Sequence, residues 1–481
     1  MNILKNLKAL KPIDINQCKK ISDVVSAMSQ TAIGARMLGE NTLTLVNWLK
    51  KGKKPIVIID DLPENLYFQN LVQKIGKVMS GKDYIQNGFF KEKNPVIAIG
   101  YLLNQTRKIL FKKDPNNIIF INNLNLAPPW VKDGYFKSFL NANPQIVLPV
   151  IYGVLEEKIF NRKFSFKKLL NTWLQIGGEG KNVAMGFEVL LKMIKDKNCK
   201  VVMTLSGIMT MAKMSSLIAY MIEKGWVNIL ASTGALIGHG LVEGVDLKHY
   251  KYDPKFSDVL LAKQKLNRIT DTIEPEKNLD HIEKLIHNVL TKEFKNGGIT
   301  SPSEIIFLIG KYLFEKYPSK ISILTSAYKK NVPIFIPAFY DSELGNDVII
   351  YNLIQKQKNL PNLIVDQEKD ELKLIDLVVS SKRLGIFSIG GGVPRNNMQN
   401  VAPLIEIINF RTNLKLKEVK YSYGCRIAPD EVYLGHLSGC TYSEGVSWRK
   451  MDPKGKFAEI KSDATLILPF YVWGLKEILV G

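Results

Sequence analysis

The run from Ser438 to Lys450 reads Ser-Gly-Cys-Thr-Tyr-Ser-Glu-Gly-Val-Ser-Trp-Arg-Lys. It sets Lys450 beside Trp448 and Arg449, with the acid Glu444 a short way upstream. Apolar surroundings and a neighbouring positive charge both disfavour an ammonium, which frees a lone pair for imine formation. Spacing alone still favours the ordinary alternative, a solvated surface lysine. A second set of candidates lies in four loops: Ser206-Gly207, Ser232-Thr233-Gly234-Ala235, Asp341-Ser342-Glu343-Leu344-Gly345 and Gly390-Gly391-Gly392-Val393. Small residues let backbone N–H groups approach a phosphate, hydroxyls add donors, and an acid suits a ribose hydroxyl. Each loop alone is weak, and no GxGxxG opens a helix, so the usual dinucleotide fingerprint is absent. Together they fit a nucleotide cofactor.

Those loops need strands to aim them, and each follows one. Apolar β-rich runs are expected to form strands at 55–59, 96–99, 118–121, 146–151, 200–204, 227–231, 333–336, 363–365, 384–389, 419–423 and 464–468. Helical spacing over 214–224, 280–294 and 303–317 lies between them, and Ser301-Pro302-Ser303-Glu304 is a helix start. The alternation predicts right-handed βαβ crossovers and an α/β fold: a Rossmann-like, mostly parallel sheet flanked by helices, with an additional N-terminal α/β region. Domains are expected at 1–160 and 161–481, with the turn-rich stretch 114–139 as a link. Residues 25–60 and 169–205 follow the same helix–glycine–helix–turn–strand plan, which fits either a degenerate partial copy or two ordinary αβ units.

The chain has 481 residues with 66 basic and 45 acidic side chains, a net charge of +21. That length suggests more than one domain, and the ordinary apolar share of 46% excludes a disordered or collagenous chain. Residues 1–200 carry 31 basic and 15 acidic side chains, but the lysines come as short pairs between strands, so nucleic acid is the lesser reading. The four cysteines form no CxxC pair, which argues against a disulfide scaffold or a zinc ribbon, and no metal is expected. With no apolar run of membrane-spanning length and no leader-like start, a cytoplasmic location and no membrane partner are expected.

The segment 438–450 resembles the active-site signature SGxxxxEAVSWGK of the deoxyhypusine synthase family. The likeness extends over about 164–480, takes in all four loops in order, adds Ser462-Asp463-Ala464-Thr465, and is nearest the bacterial or archaeal branch. The resemblance implies redox-neutral transfer of an aminobutyl unit. NAD would take hydride from spermidine, 1,3-diaminopropane would leave, and Lys450 would hold the remaining unit as an imine. An acceptor amine would displace it, and the retained NADH would reduce the product. It implies a homotetramer with its site at a subunit interface. Carried over, Lys450 is the imine lysine, Trp448 packs along the polyamine, and Glu444 and Ser438 sit in the site. Asp341 and Asp463, with the adjoining Ala464, hold NAD hydroxyls. Ser206, Gly207, Thr233, Gly234, Gly391 and Gly392 meet its phosphates and rings.

Several positions depart from the pattern. Gly238-His239 stands where the eukaryotic family members have paired glutamates, and Asn396 replaces a histidine. Asn346-Asp347 displaces an expected aspartate, Leu437 replaces an acid, and Arg449 replaces the signature glycine. We therefore expect a rebuilt amine site, with Glu343, Asp347, Glu243 and Glu444 as an acidic lining and His239 and Asn396 as neutral hydrogen-bonding groups. The expected activity is NAD-dependent aminobutyl transfer, slightly favouring a small acceptor amine as in homospermidine formation. The alternatives are deoxyhypusine formation on a lysine of a translation initiation factor, or a non-catalytic NAD-binding scaffold.

Overall fold

The computed structural model describes residues 3–61, 64–100, 102–110, 112–122, 139–434 and 440–481. Two parallel sheets dominate. The first is formed by β1 (Ile56–Ile58), β2 (Lys77–Met79), β3 (Val96–Ile99), β4 (Ile118–Asn122) and β5 (Phe139–Asn141), in the order β2-β1-β3-β4-β5. Downstream come β6 (Cys199–Leu205), β7 (Ile229–Ser232), β8 (Tyr250–Lys251), β9 (Leu266–Ile269), β10 (Thr272–Pro275) and β11 (Gly298–Thr300). They are followed by β12 (Ile334–Phe335), β13 (Leu363–Val365), β14 (Arg383–Ile389), β15 (Tyr421–Ala428) and β16 (Met451–Lys461). The second sheet has the order β12-β7-β6-β14-β15-β16, and every neighbouring pair is parallel. Counted from β6 this is 3-2-1-4-5-6, the dinucleotide-binding order, whose switch point falls between β6 and β14. The expected α/β architecture is therefore present, with the extra N-terminal sheet.

Two expected strands are helical. The run 146–151 lies within the helix Pro144–Lys158, because Asn143 caps the Gln145 N–H at 2.9 Å and Pro144 occupies the first turn. Buried on nearly all sides, its Ile and Val residues satisfy a core helix as well as a strand. Residues 464–468 likewise begin a short 3₁₀ turn, Ala464–Leu466, that leads into the helix Leu468–Leu479. Most of the stretch proposed as a link, 123–138, lies outside the described residues.

The first fifty residues are fastened to the C-terminal part. Arg36 pairs with Asp271, both buried, and the Ala35 N–H donates to Thr465 Oγ1 at 3.0 Å. Ser216 Oγ donates to the Ile13 carbonyl at 2.7 Å, and Lys476 Nζ donates to that of Ile15 at 2.7 Å. One apolar core takes in Ile13, Val25 and Ile97 together with Met203, Phe387 and Phe470. The division expected at residue 160 thus coincides with no break in packing. The internal echo is visible in the elements: the helices Ile21–Met28 and Ile33–Lys50 precede β1, and Phe166–Ile176 and Gly178–Lys195 precede β6. Both long helices have 18 residues and begin on a left-handed residue, Ile33 (φ 55°) and Gly178 (φ 48°). Among the described residues no helix is long and apolar enough to cross a membrane.

Candidate active site

The loops leaving β6 and β14 meet at the switch point. Ser206 Oγ donates to the Ile389 carbonyl and accepts from the Gly391 N–H, both at 3.1 Å. A Cβ on Gly390 would stand 2.1 Å from that hydroxyl, and its φ of 76° is left-handed, so glycine is required twice over. Gly391 then opens the helix Gly392–Thr412 without a side-chain cap. Thr233 opens Gly234–Gly244 in the same uncapped way. A Cβ on Gly234 would lie 2.3 Å from Ser342 Oγ, so this loop presses on the one that carries Asp341. Ser342 in turn caps the helix Glu343–Gln357 by accepting the Gly345 N–H, leaving Asp341 exposed. The four expected loops are thus joined in two pairs, Ser206-Gly207 with Gly390–Gly392 and Ser232–Ala235 with the Asp341 loop.

Lys450 opens into a cavity of about 660 Å³ lined by Gly392, Arg395, Asn396, Glu444 and Trp448, among others. The short helix Tyr442–Ser447 starts where Thr441 Oγ1 accepts the Glu444 N–H at 3.0 Å. It closes with the Lys450 N–H donating to the Gly445 carbonyl, which requires Arg449 to be left-handed (φ 59°). The Lys450 carbonyl accepts from the Tyr421 N–H at 3.1 Å, pinning the lysine between helix end and β16. Its Nζ donates to Asn396 Oδ1 at 2.9 Å and lies 5.8 Å from the centre of a Trp448 ring. The half-buried amine has its pKa lowered, first by desolvation and then by the Arg395 charge, against a smaller opposing pull from Cys440 and Glu444.

The cation acting on Lys450 is therefore Arg395 and not the adjacent Arg449, whose guanidinium pairs with Glu406. The left-handed turn also explains why a glycine suits the signature at this position. Arg449→Gly should relieve backbone strain of about 1–2 kcal/mol while losing an exposed ion pair worth at most about 1 kcal/mol. Denaturant unfolding should show a gain of about 0–2 kcal/mol, and the pH dependence of Lys450 reactivity should stay put.

The other expected site residues form a second group. His239 Nδ1 lies 2.6 Å from Glu274 Oε2, and its Nε2 lies 3.8 Å from Glu343 Oε1. Burial alone would disfavour its imidazolium, but the bond and charge of Glu274, helped by Glu343, raise its pKa. His239 thus holds a proton more firmly than an ordinary histidine, which corrects the neutral role expected for it. Asp347 is pushed up to about 7 by burial and by the charges of Glu283 and Glu343. Glu243 is taken by an internal partner, the buried Lys213 Nζ at 2.5 Å, so it is not free to line a substrate. Among the described residues, Glu343, Asp347 and Glu243 are not in the lining of the Lys450 cavity; Glu444 is. The expected four-acid lining is accordingly divided.

Asp463 has another task than the cofactor contact expected of it. Partly buried, it accepts from the Thr465 N–H and Oγ1, both at 2.9 Å, and from the Gly34 backbone, so it ties the N-terminal helix to the Ala464 turn. Ser438 and Leu437 lie outside the described residues. Sequence reasoning missed Arg395, Glu274 and Lys213. Arg395 was findable, four residues after Gly391; nothing in the sequence pairs Glu274 or Lys213 with distant partners.

Comparison with known proteins gives the same direction. The deoxyhypusine synthase family model matches residues 168–475. A probable deoxyhypusine synthase 2 of Methanosarcina acetivorans is 34% identical over 314 residues, covering 65% of this chain and 87% of that protein. Its counterpart in Archaeoglobus fulgidus is 32% identical over 300 residues, covering 62% and 94%. A deoxyhypusine synthase-like protein of Chlorobaculum tepidum is 31% identical over 323 residues, covering 66% and 89%. The lysine that leads into the last strand of this dinucleotide-order sheet thus lies in a chain that belongs to the deoxyhypusine synthase family, a family of transferases.

Proposed function

We propose that the protein transfers an aminobutyl unit from spermidine or a related polyamine, through an imine on Lys450, to an acceptor amine, with NAD as cofactor. The observation that carries this reading is the Lys450 amine: half-buried, pressed by Arg395, and oriented by the 2.9 Å bond to Asn396. An amine so placed gives up its proton more readily than an ordinary lysine, which favours its use as a nucleophile.

The residues at the switch point fit NAD. Two uncapped helix starts, at Gly234 and Gly392, present free N–H groups where phosphates bind, and nothing within 4 Å would meet a Cβ on Gly207 or Gly392. Ser206, Thr233, Gly234, Gly391 and Gly392 would hold its phosphates, with Asp341 on a hydroxyl. Bound there, NAD supplies the acceptor and later the donor of a hydride. Lys450 Nζ adds to the carbon of the oxidised donor, the diamine leaves with the proton it needs, and the C=N bond rests on Lys450. The acceptor amine adds to that carbon and Lys450 leaves as the free amine. Trp448 covers the aliphatic stretch, while Asn396 holds the Lys450 proton. Trp448 and Val393 are exposed at 63% and 52%, which supports a cavity completed by a second copy within a homotetramer.

Gly238-His239 in place of paired glutamates, together with the displaced aspartate at Asn346-Asp347, favours a small acceptor amine such as putrescine over a protein lysine. Incubation with spermidine, NAD and each acceptor, followed by mass spectrometry, tests this. A modified initiation-factor peptide with no homospermidine would overturn the preference. Asp341→Ala should weaken NAD binding by about 1–2 kcal/mol, roughly 5–30-fold, in a calorimetric titration; unchanged affinity would remove Asp341 from the cofactor site.

A further inference from the structure

Two buried guanidiniums lie beneath the Lys450 cavity, and the fold treats them differently. Arg426 and Arg395 are each only 4% exposed. Arg426 donates to the Cys440 carbonyl at 2.6 Å and to Glu459 at 3.2 Å, and Glu459 also accepts the Tyr442 N–H. Arg395 has no acceptor among the described residues, and its Nε is buried and bare. Its guanidinium stacks on the face of Tyr442, 5.2 Å from the ring centre. Stacking offsets part of the desolvation cost but accepts none of the N–H edges. A buried arginine without an acceptor is among the more costly arrangements a fold can keep.

Arg395 nevertheless lines the cavity that holds Lys450, so a ligand bound there borders this arginine. It also stands in the first turn of the helix Gly392–Thr412, 21 residues long, whose uncapped start adds positive potential in the same place. We propose that Arg395 is the oxyanion receptor of the Lys450 cavity, taking the carboxylate or phosphate of a ligand bound there. A guanidinium fork matches either group through paired N–H···O bonds. The oxyanion has two sources: a phosphate of the cofactor, or a carboxylate on the amine substrate. Only the second rests on the reading of this cavity as an amine-transfer site.

Arg395→Met and Arg395→Lys separate the sources. Methionine removes an unpaired buried charge at similar volume, so the thermal midpoint should hold or rise. If the oxyanion belongs to the cofactor, NAD affinity by titration calorimetry should fall about tenfold or more in Arg395→Met and recover in part in Arg395→Lys. If it belongs to the substrate, NAD affinity should stay unchanged. Turnover with ornithine as acceptor should then fall about tenfold or more, while turnover with putrescine, which differs by that carboxylate, should not. Should the wild type show no amine transfer at all, the aminobutyl reading fails, yet the calorimetric arm still decides the cofactor source. An Arg395→Met protein that binds NAD like the wild type, and shows no selective loss with ornithine, overturns the proposal. Should Arg395→Met fail to fold, Arg395→Gln takes its place in both arms.

Discussion

Lys450→Ala is expected to abolish the covalent adduct that borohydride traps from spermidine and NAD, and to lower turnover on the order of 10³-fold or more, as loss of a nucleophile does. NAD affinity should stay nearly unchanged, because the cofactor loops are held together by Ser206, Gly234 and Ser342 and not by Lys450. In the wild type the trapped mass should be butylamine-sized and lie on the peptide containing Lys450. Its yield should survive to lower pH than for a free lysine, since burial and the Arg395 charge lower the pKa of this amine. An adduct on another lysine would sink the assignment.

The second large effect is expected at Glu274, which is fully buried between two imidazoles. His249 Nδ1 faces Lys213 Nζ at 2.6 Å and its Nε2 faces Glu274 at 3.1 Å; burial and Lys213 lower its pKa. The arrangement fits a neutral ring that accepts from the lysine and donates to the carboxylate. On the other side Glu274 meets His239. Burial would raise its carboxyl, but the hydrogen bonds of the two histidines and the pull of His239 prevail and hold it at about 2. Glu274→Gln leaves His239 short of its buried counter-charge, at a cost of about 3–5 kcal/mol in denaturant unfolding.

The pH dependence follows from the directions of these shifts. A carboxyl depressed from 4.5 to about 2 contributes roughly 3 kcal/mol that is fully present above 4.5 and is lost as pH falls towards 2. The raised pKa of His239 acts oppositely: its contribution is present below 6.5 and lost as pH rises through the folded value. Stability measured across pH should therefore decline on both sides in the wild type. Glu274→Gln should flatten both limbs; an unchanged acid limb would show that Glu274 does not carry it.

Where a strand was written in consecutive β-branched residues between turn signals, the sequence was enough. Val96–Ile99 and Leu363–Val365 stand where periodicity put them, and the helices at 214–224, 280–294 and 303–317 are present within a few residues. The α/β class, the loops at the strand ends and Lys450 were legible for the same reason: each is a local pattern. β16 was not, because Asp452-Pro453-Lys454-Gly455 is poor strand material and forms an irregularity between Met451 and Lys456, the residues that pair with Tyr421 and Tyr423 of β15. The run 146–151 went the other way, since a cap and a proline just upstream outweighed its four β-branched side chains.

The sequence by itself determined the fold class, the signature lysine and the glycines that let loops close on one another, because such choices are made by a residue and its near neighbours. Tertiary structure alone decided which charges meet. It set Asn396 on Lys450 across 54 residues, gave Arg426 its carboxylate while leaving Arg395 bare, and turned Asp463 and Glu243 inward. The physical reason is burial: a charged side chain takes its pKa and partners from atoms that packing brings within hydrogen-bond reach. Those atoms belong to segments whose separation along the chain carries no sign of their contact.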